Sequence, residues 1–290
     1  MAITRRDLLS YSLASPLLAS AAEVLAGTAD EKKDFRDFAN ADDRVQAFYR
    51  EHHQKQTHAF ALLKRQHYSQ LKQARVSAWE MMERLDTLVD DSDPDISLSQ
   101  FEHSYQTAEA IRKAGYPKWL QLTGFIHDMG KSLVFWGEPQ WAVVGDCFPT
   151  GLKYSPTIVY HEHLARNPDS HTPRFNTNLG IYKPGIGLDS VIMTWGHDEY
   201  LYQVLKQQSR LPEEALFVIR FHSCYPLHTG MEPRYLMLMN QQDWRNMPWV
   251  KIFNRYDLYS KSDEVLSQRD DLRDYYQALT EHYIPGVLRW

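Results

Sequence analysis

Apolar side chains recur at spacings of three and four along most of the chain, a period that predicts helices rather than strands. Residues 41–89 carry this pattern with few breakers, and it stops at the acidic turn Asp90-Asp91-Ser92-Asp93-Pro94-Asp95. Further helices are predicted over 101–114, 117–136, 188–208, 212–224, 241–260 and 270–282. The stretch from Gly137 to Gly187 is richer in Gly, Pro and Asn, and predicts irregular loops with short helical pieces. No internal repeat or low-complexity linker interrupts the pattern. The expectation is one all-α domain over residues 34–290, with residues 1–33 standing apart.

Those first residues place Arg5-Arg6 before a mildly apolar run rich in Ala, Leu and Ser. Two readings are open: a twin-arginine export leader, or a disordered N-terminal extension. A leader would carry the folded protein to the periplasm. No later stretch reaches the length of a transmembrane helix, so no membrane span is expected.

Composition narrows the function. A net charge of −5 over 290 residues gives no general attraction to nucleic acid or an anionic membrane. The 13% aromatic content predicts a large packed core. Cys147 and Cys224 are the only cysteines, which leaves room for one disulfide but excludes a disulfide framework or a Cys-based zinc site. Thirteen histidines, by contrast, offer ample ligands for a transition metal. No glycine-rich nucleotide loop is present, so neither nicotinamide nor flavin is expected. With no coiled-coil seam or obvious interface stripe, a monomer is the default.

The strongest local signal is the segment from Trp119 to Lys131. At helical spacing Leu122, Phe125, Ile126, Met129 and Leu133 form one apolar stripe, and His127, Asp128 and Lys131 fall opposite it. Periodicity alone makes that second face an ordinary solvated one. Two details point elsewhere. Gly124 costs the helix about 1 kcal/mol relative to Ala, yet it clears space for a close neighbour. An adjacent His and Asp also supply a nitrogen and a carboxylate able to bridge two cations.

Other candidates lie on apolar faces. His197 aligns with Tyr200, Leu201 and Val204; Asp257 aligns with Val250 and Phe253; His222 flanks a helix bearing Val218 and Ile219. An inward His is more often a hydrogen-bonded core residue than a ligand. An inward Asp needs a partner or a metal, because an unpaired buried carboxylate is costly. His103 is weak when taken alone.

Taken in order, His103, His127-Asp128, His197, His222 and Asp257 resemble the ligand order of the HD superfamily. Within it the chain is similar to the myo-inositol oxygenase family. The likeness rests on LVDDSDPDISLSQFEHSYQTAEAIRKAG, GFIHDMGKSLVFWGEPQWAVVGDCFPTG, MTWGHDEYLYQVLK, VIRFHSCYPLHTG and PWVKIFNRYDLYSK, and runs from about Phe35 to Trp290. It implies an HD-like helical domain that opens myo-inositol with O2 to give D-glucuronate, in inositol catabolism. It also implies two iron ions in a mixed-valent Fe(II)/Fe(III) pair, held by His103, His127, Asp128, His197, His222 and Asp257 with Asp128 bridging. Lys131 would contact the hydroxyl that loses its proton. Arg36, Asp90, Asp91, Ser92, Gly145, Asp146, His222 and Ser223 match the family's substrate-contacting positions, and Lys261 is a weaker candidate. The resemblance implies a cytoplasmic enzyme, against the periplasmic alternative raised by the leader.

After His228-Thr229-Gly230 the chain departs from the family with a slightly longer loop, Met231-Glu232-Pro233-Arg234-Tyr235. Two competing readings remain at this stage. An HD-type metal-dependent phosphohydrolase would need Arg and Lys clustered around the metals to hold phosphate. A metal-storing or structural helical protein would explain inward His and Asp, but not Lys131 or the acidic turn.

Overall fold

Three helix starts are set by short polar side chains that accept the free backbone amides of the first turn. Thr57 accepts from Phe60, Ser77 from Glu80 and Ser99 from Glu102. The computed structural model describes residues 43–88, 90, 99–259 and 265–290. Residues 1–33, Arg36, Asp91, Ser92 and Lys261 lie outside the described residues.

The helices are α1 (Asp43–Lys55), α2 (His58–Tyr68), α3 (Ala78–Leu85), α4 (Gln100–Lys113), α5 (Lys118–Ile126) and α6 (His197–Leu205). They continue with α7 (Glu213–Phe221), α8 (Tyr225–His228), α9 (Pro233–Leu236), α10 (Gln241–Tyr259) and α11 (Asp270–Tyr283). The expected all-α class is what the structure shows. No helix of the described residues is long and apolar enough to cross a membrane.

Three predicted helices are divided. The pattern over 41–89 breaks at extended Thr57 and again at Leu71, whose φ of 48° turns the chain into a short strand, β1 (Arg75–Ser77). That strand pairs antiparallel with β2 (Val287–Arg289), placing Val76 opposite Leu288. The terminal Trp290 is fully buried, and its indole N–H donates to Val76 O. Residues 188–208 keep only a 3₁₀ turn (Leu188–Ser190) before α6, because 191–196 runs extended beside the loop and bridges Pro149 with Met193. The predicted helix over 117–136 ends at Ile126 and resumes as a 3₁₀ helix over Met129–Trp136. Between them Asp128 sits at φ −90°, ψ 1°, the bridge region where many active-site residues are found.

The segment 137–187 is irregular with short 3₁₀ pieces, as its composition predicts. Buried loops need partners for their peptide groups, and buried amides supply them. Gln56 donates to Trp195 O at 2.6 Å and accepts from Trp195 N at 3.0 Å. Asn167 donates to the carbonyls of His53 and Gln56 at 2.7 and 3.0 Å.

Around the centre of the fold, α4 and α5 approach until a Cβ on Gly124 would lie 2.9 Å from Ile111 Cδ1 and 3.1 Å from Ala108 Cα. Gly124 therefore does clear space for a second body, and that body is α4. Aromatic packing continues from this contact, with Phe125 stacked on Tyr276 at 5.1 Å and edge-on to Tyr105 at 4.9 Å.

Candidate metal centre

Five elements deliver the predicted residues to one place. His103 comes from α4, and His127 with Asp128 from the joint between α5 and the 3₁₀ helix. His197 opens α6, His222 caps the C-terminus of α7, and Asp257 comes from α10. The α6 end is fixed by Gly130: any Cβ there would fall 2.0 Å from the carbonyl oxygen of His197. No larger residue allows that approach.

The donor atoms fall into two sets that share Asp128. On one side, Asp257 Oδ1 lies 3.0 Å from His103 Nε2 and 3.2 Å from His127 Nε2, while Asp128 Oδ2 lies 3.3 Å from His127 Nε2. On the other, Asp128 Oδ1 lies 3.4 Å from His197 Nε2 and 3.8 Å from His222 Nε2. His197 Nε2 and His222 Nε2 face each other at 3.2 Å. Several groups of these atoms are close enough to hold a metal ion: His103 with His127 and Asp257, His127 with Asp128 and His222, and His197 with Asp198 and His222.

Backbone carbonyls fix how three of the rings present themselves. Nδ1 of His127 faces Gly124 O at 2.9 Å, that of His197 faces Val143 O at 2.9 Å, and that of His222 faces Ile219 O at 3.0 Å. A ring that donates from Nδ1 turns the lone pair of Nε2 inward, the usual orientation of a ligating histidine. His103 differs, since its buried Nδ1 has no hydrogen-bond partner among the described residues.

The helical-stripe reading of this segment fails on one point. His127, Asp128 and Lys131 do not form a solvated face, with exposures of 1%, 4% and 6%. The change from α to 3₁₀ winding at Asp128 moves the later residues off the stripe, and neighbouring helices cover both sides. The Lys131 ammonium reaches Asp90 Oδ2 at 2.7 Å, Asp128 Oδ2 at 2.8 Å and Gln100 Oε1 at 2.7 Å.

Charge inside the site is strongly coupled. Burial would push the Asp128 carboxyl up, but His127 and Lys131 hold it well below the usual carboxylate range. Asp257 is held low in the same way, against burial, by His127 and His103. Burial disfavours charge on His127, yet Asp128 and Asp257 raise it to about 9. His222 is likewise raised against burial by Asp198 and Asp128, whereas burial keeps His197 below its ordinary value. Lys131 stays charged despite burial because Asp128 and Asp90 face it. Protons and metal cations compete for such nitrogens, and ionised carboxylates favour the cation.

Asp90 and Ser223 are buried and reach this set through Lys131 and Asp198, and Gly145 turns the chain into buried Asp146 at φ 92°. The Tyr49 hydroxyl donates to Asp146 Oδ1 at 3.1 Å. Sequence reasoning missed Gln100, Tyr49 and Asp198. Gln100 could have been found one turn before His103, and Asp198 directly after His197. Tyr49 is 97 residues from Asp146 and had no local signal.

Nitrogen and oxygen donors without thiolate suit iron, and inward Nε2 lone pairs against ionised carboxylates fit a cation pair. The longer loop at Met231–Tyr235 is anchored through Glu232. Arg234 Nε donates to Glu232 Oε1 at 2.8 Å, and the Ser155 hydroxyl donates to Glu232 Oε2.

Known proteins share this arrangement of sequence. The family model described as myo-inositol oxygenase matches residues 42–290. Inositol oxygenase 1 of Arabidopsis thaliana is 48% identical over 265 residues, covering 88% of this chain and 84% of its own length. The inositol oxygenase of Danio rerio is 46% identical, covering 90% of this chain and 94% of its own length. That of Rattus norvegicus is 44% identical over 280 residues, covering 95% and 97% respectively. The chain therefore belongs to the myo-inositol oxygenase family.

Proposed function

We propose that this chain cleaves the ring of myo-inositol with O2 to give D-glucuronate, as an enzyme of inositol catabolism. The observation that carries the reading is the division of Asp128, with one carboxylate oxygen toward His127 and the other toward His197 and His222. In this reading His103, His127, Asp128 and Asp257 would hold one iron, and Asp128, His197 and His222 would hold the second. The mixed-valent Fe(II)/Fe(III) pair supplies the redox chemistry that couples O2 to a polyol.

The chain's own groups bind and orient the substrate. Lys131, kept charged by Asp90 and Asp128, donates to a ring hydroxyl and favours its ionised form. Asp90 and Asp146 accept from further hydroxyls, and the Ser223 side chain and the Gly145 backbone line the same space. By the family resemblance Arg36, Asp91 and Ser92, outside the described residues, would contact the substrate as well. A polyol needs many fixed donors and acceptors, and buried polar side chains of this kind provide them.

The reaction balances without another reductant. A bond between neighbouring carbinol carbons breaks, one carbon becoming a carboxylate and the other an aldehyde. The substrate gives up the electrons that reduce O2, one oxygen atom entering the carboxylate and the other leaving as water.

The phosphohydrolase reading is not favoured. Among the described residues Lys131 is the cation at this centre, and its ammonium is already engaged by Asp90, Asp128 and Gln100. We also take the protein as a monomer in the cytoplasm, with periplasmic export as the alternative. Fractionation of the full chain decides this, because a shortened periplasmic form that disappears in an Arg5→Lys/Arg6→Lys variant establishes export.

The functional test is one assay on iron-loaded protein, following O2 uptake and glucuronate as myo-inositol is added. One O2 consumed per glucuronate formed supports the reading. Neither signal from folded, iron-loaded protein overturns it and directs attention to phosphate esters.

A further inference from the structure

The two donor sets are unequally supplied. Asp257 serves His103 and His127 from the inner side of their rings, together with Asp128 Oδ2. In the other set, Asp128 Oδ1 is the carboxylate oxygen that faces Nε2 of both His197 and His222. A cation there meets less negative charge from its direct ligands.

A further carboxylate lies immediately behind this poorer set. Asp198 is buried, and its Oδ1 lies 2.9 Å from His222 Nδ1 and 3.3 Å from His197 Nε2. The Ser223 hydroxyl donates to its Oδ2. Oδ1 has no hydrogen-bond partner among the described residues, because Nδ1–H of His222 is aimed at Ile219 O. A buried carboxylate oxygen left without a donor is costly unless a nearby positive charge compensates it. Its neighbours are the two rings whose Nε2 atoms converge on Asp128 Oδ1.

We infer that Asp198 is a positioning residue for the second metal ion, holding the His222–Ser223 turn in place and setting negative charge behind the His222 ring and beside Nε2 of His197. Asp198 lies at the Nδ1 edge of His222, away from the edge that faces Asp128, so it acts through the ring. A carboxylate placed behind a ligating imidazole strengthens the ring's donation to the metal and fixes its orientation. The string Gly196-His197-Asp198-Glu199 thus has three roles in sequence. His197 provides the ligand, and Asp198 supports the second half of the centre. Glu199 turns away and accepts from Arg220 Nε at 2.7 Å, tying α6 to α7.

This inference rests on the two-ion reading above, and one titration separates their failures. Mn(II), added to metal-free protein, is counted by elemental analysis and followed by electron paramagnetic resonance. The wild type is expected to take up two ions per chain and show the broadened signal of a coupled pair. Asp198→Asn, nearly the same shape without the charge, should keep the first ion and bind the second about 10–100-fold more weakly. At intermediate Mn(II) it should show the six-line signal of an isolated ion. Ser223→Ala, which removes the hydroxyl from Oδ2 but keeps the charge, should weaken the same ion by a smaller factor and serves if Asp198→Asn does not fold. Equal weakening of both ions, or of neither, in the variant that folds overturns the role of Asp198 alone. A wild type that never forms a coupled pair overturns the two-ion reading as well.

Discussion

Two clusters of buried charge stand side by side in this fold, and their contrast separates structure from chemistry. In the first, Glu199 meets Arg220 at 2.7 Å and Arg65 at 3.3 Å, while Arg220 also reaches Asp189 at 2.7 Å and stacks over Tyr202. Anions and guanidiniums meet within the chain, leaving only Nη2 of Arg220 without a hydrogen-bond partner among the described residues of the cluster. In the second, Asp198 and Asp257 face imidazoles, and no Lys or Arg among the described residues pairs with either. Imidazole nitrogens there even face each other, at 3.2 Å. Side chains that converge lone pairs and negative charge with Lys131 as the one ammonium among the described residues at that site are arranged for an external cation. Adjacent residues of α6 divide between the two clusters, with His197 and Asp198 in the second and Glu199 in the first.

The largest effect should follow from removing the shared residue of the second cluster. Asp128→Ala is expected to abolish assembly of the ion pair and turnover together; full iron loading with normal turnover would refute the bridging role. Lys131→Ala should retain iron yet lower turnover on myo-inositol by about 10²–10⁴-fold, the range of a positioned proton-handling group. Steady-state kinetics on iron-loaded variant protein check this, and unchanged kinetics would remove Lys131 from the chemistry.

Breaking the first cluster should instead cost stability. Arg220→Met leaves Glu199 buried without its main partner, a loss of about 3–5 kcal/mol. Urea denaturation measures it, and the folded fraction should keep its iron stoichiometry. If iron and stability fall together, the clusters are not separable in the way argued.

The smallest effect concerns Glu232, another self-contained group. Its hydrogen bonds from Arg234 lower its pKa from 4.5 to about 2, so it favours the folded state fully above 4.5 and loses that contribution as pH falls toward 2. Glu232→Gln should therefore lower the melting temperature most near neutrality, with the gap to wild type closing below pH 4.5. A constant gap across that range would mean that charge is not what Glu232 contributes.

The fold class was legible because apolar spacing records which faces are buried. The breaks were not. Nothing local announces that Leu71 adopts a positive φ, or that Val76 of β1 waits for its partner Leu288 near the other end of the sequence. At the site, His103, His197, His222 and Asp257 stood out as a set only through the family resemblance. Individually each is also an ordinary core residue. Periodicity alone would have put Lys131 on a solvated face, because it assumes one continuous helix, and the winding changes at Asp128. Gly124 was readable as a close approach, whereas Gly130 was not singled out although its contact with His197 is tighter. Asp198 escaped notice since its value depends on His222 and Ser223, which come from another helix end.

The most direct test of the central claim is Mössbauer spectroscopy of wild-type protein loaded with ⁵⁷Fe. The account predicts two irons per chain in an exchange-coupled pair, with Fe(II) and Fe(III) together in the partly oxidised form. A single uncoupled iron site in folded, saturated protein would contradict it.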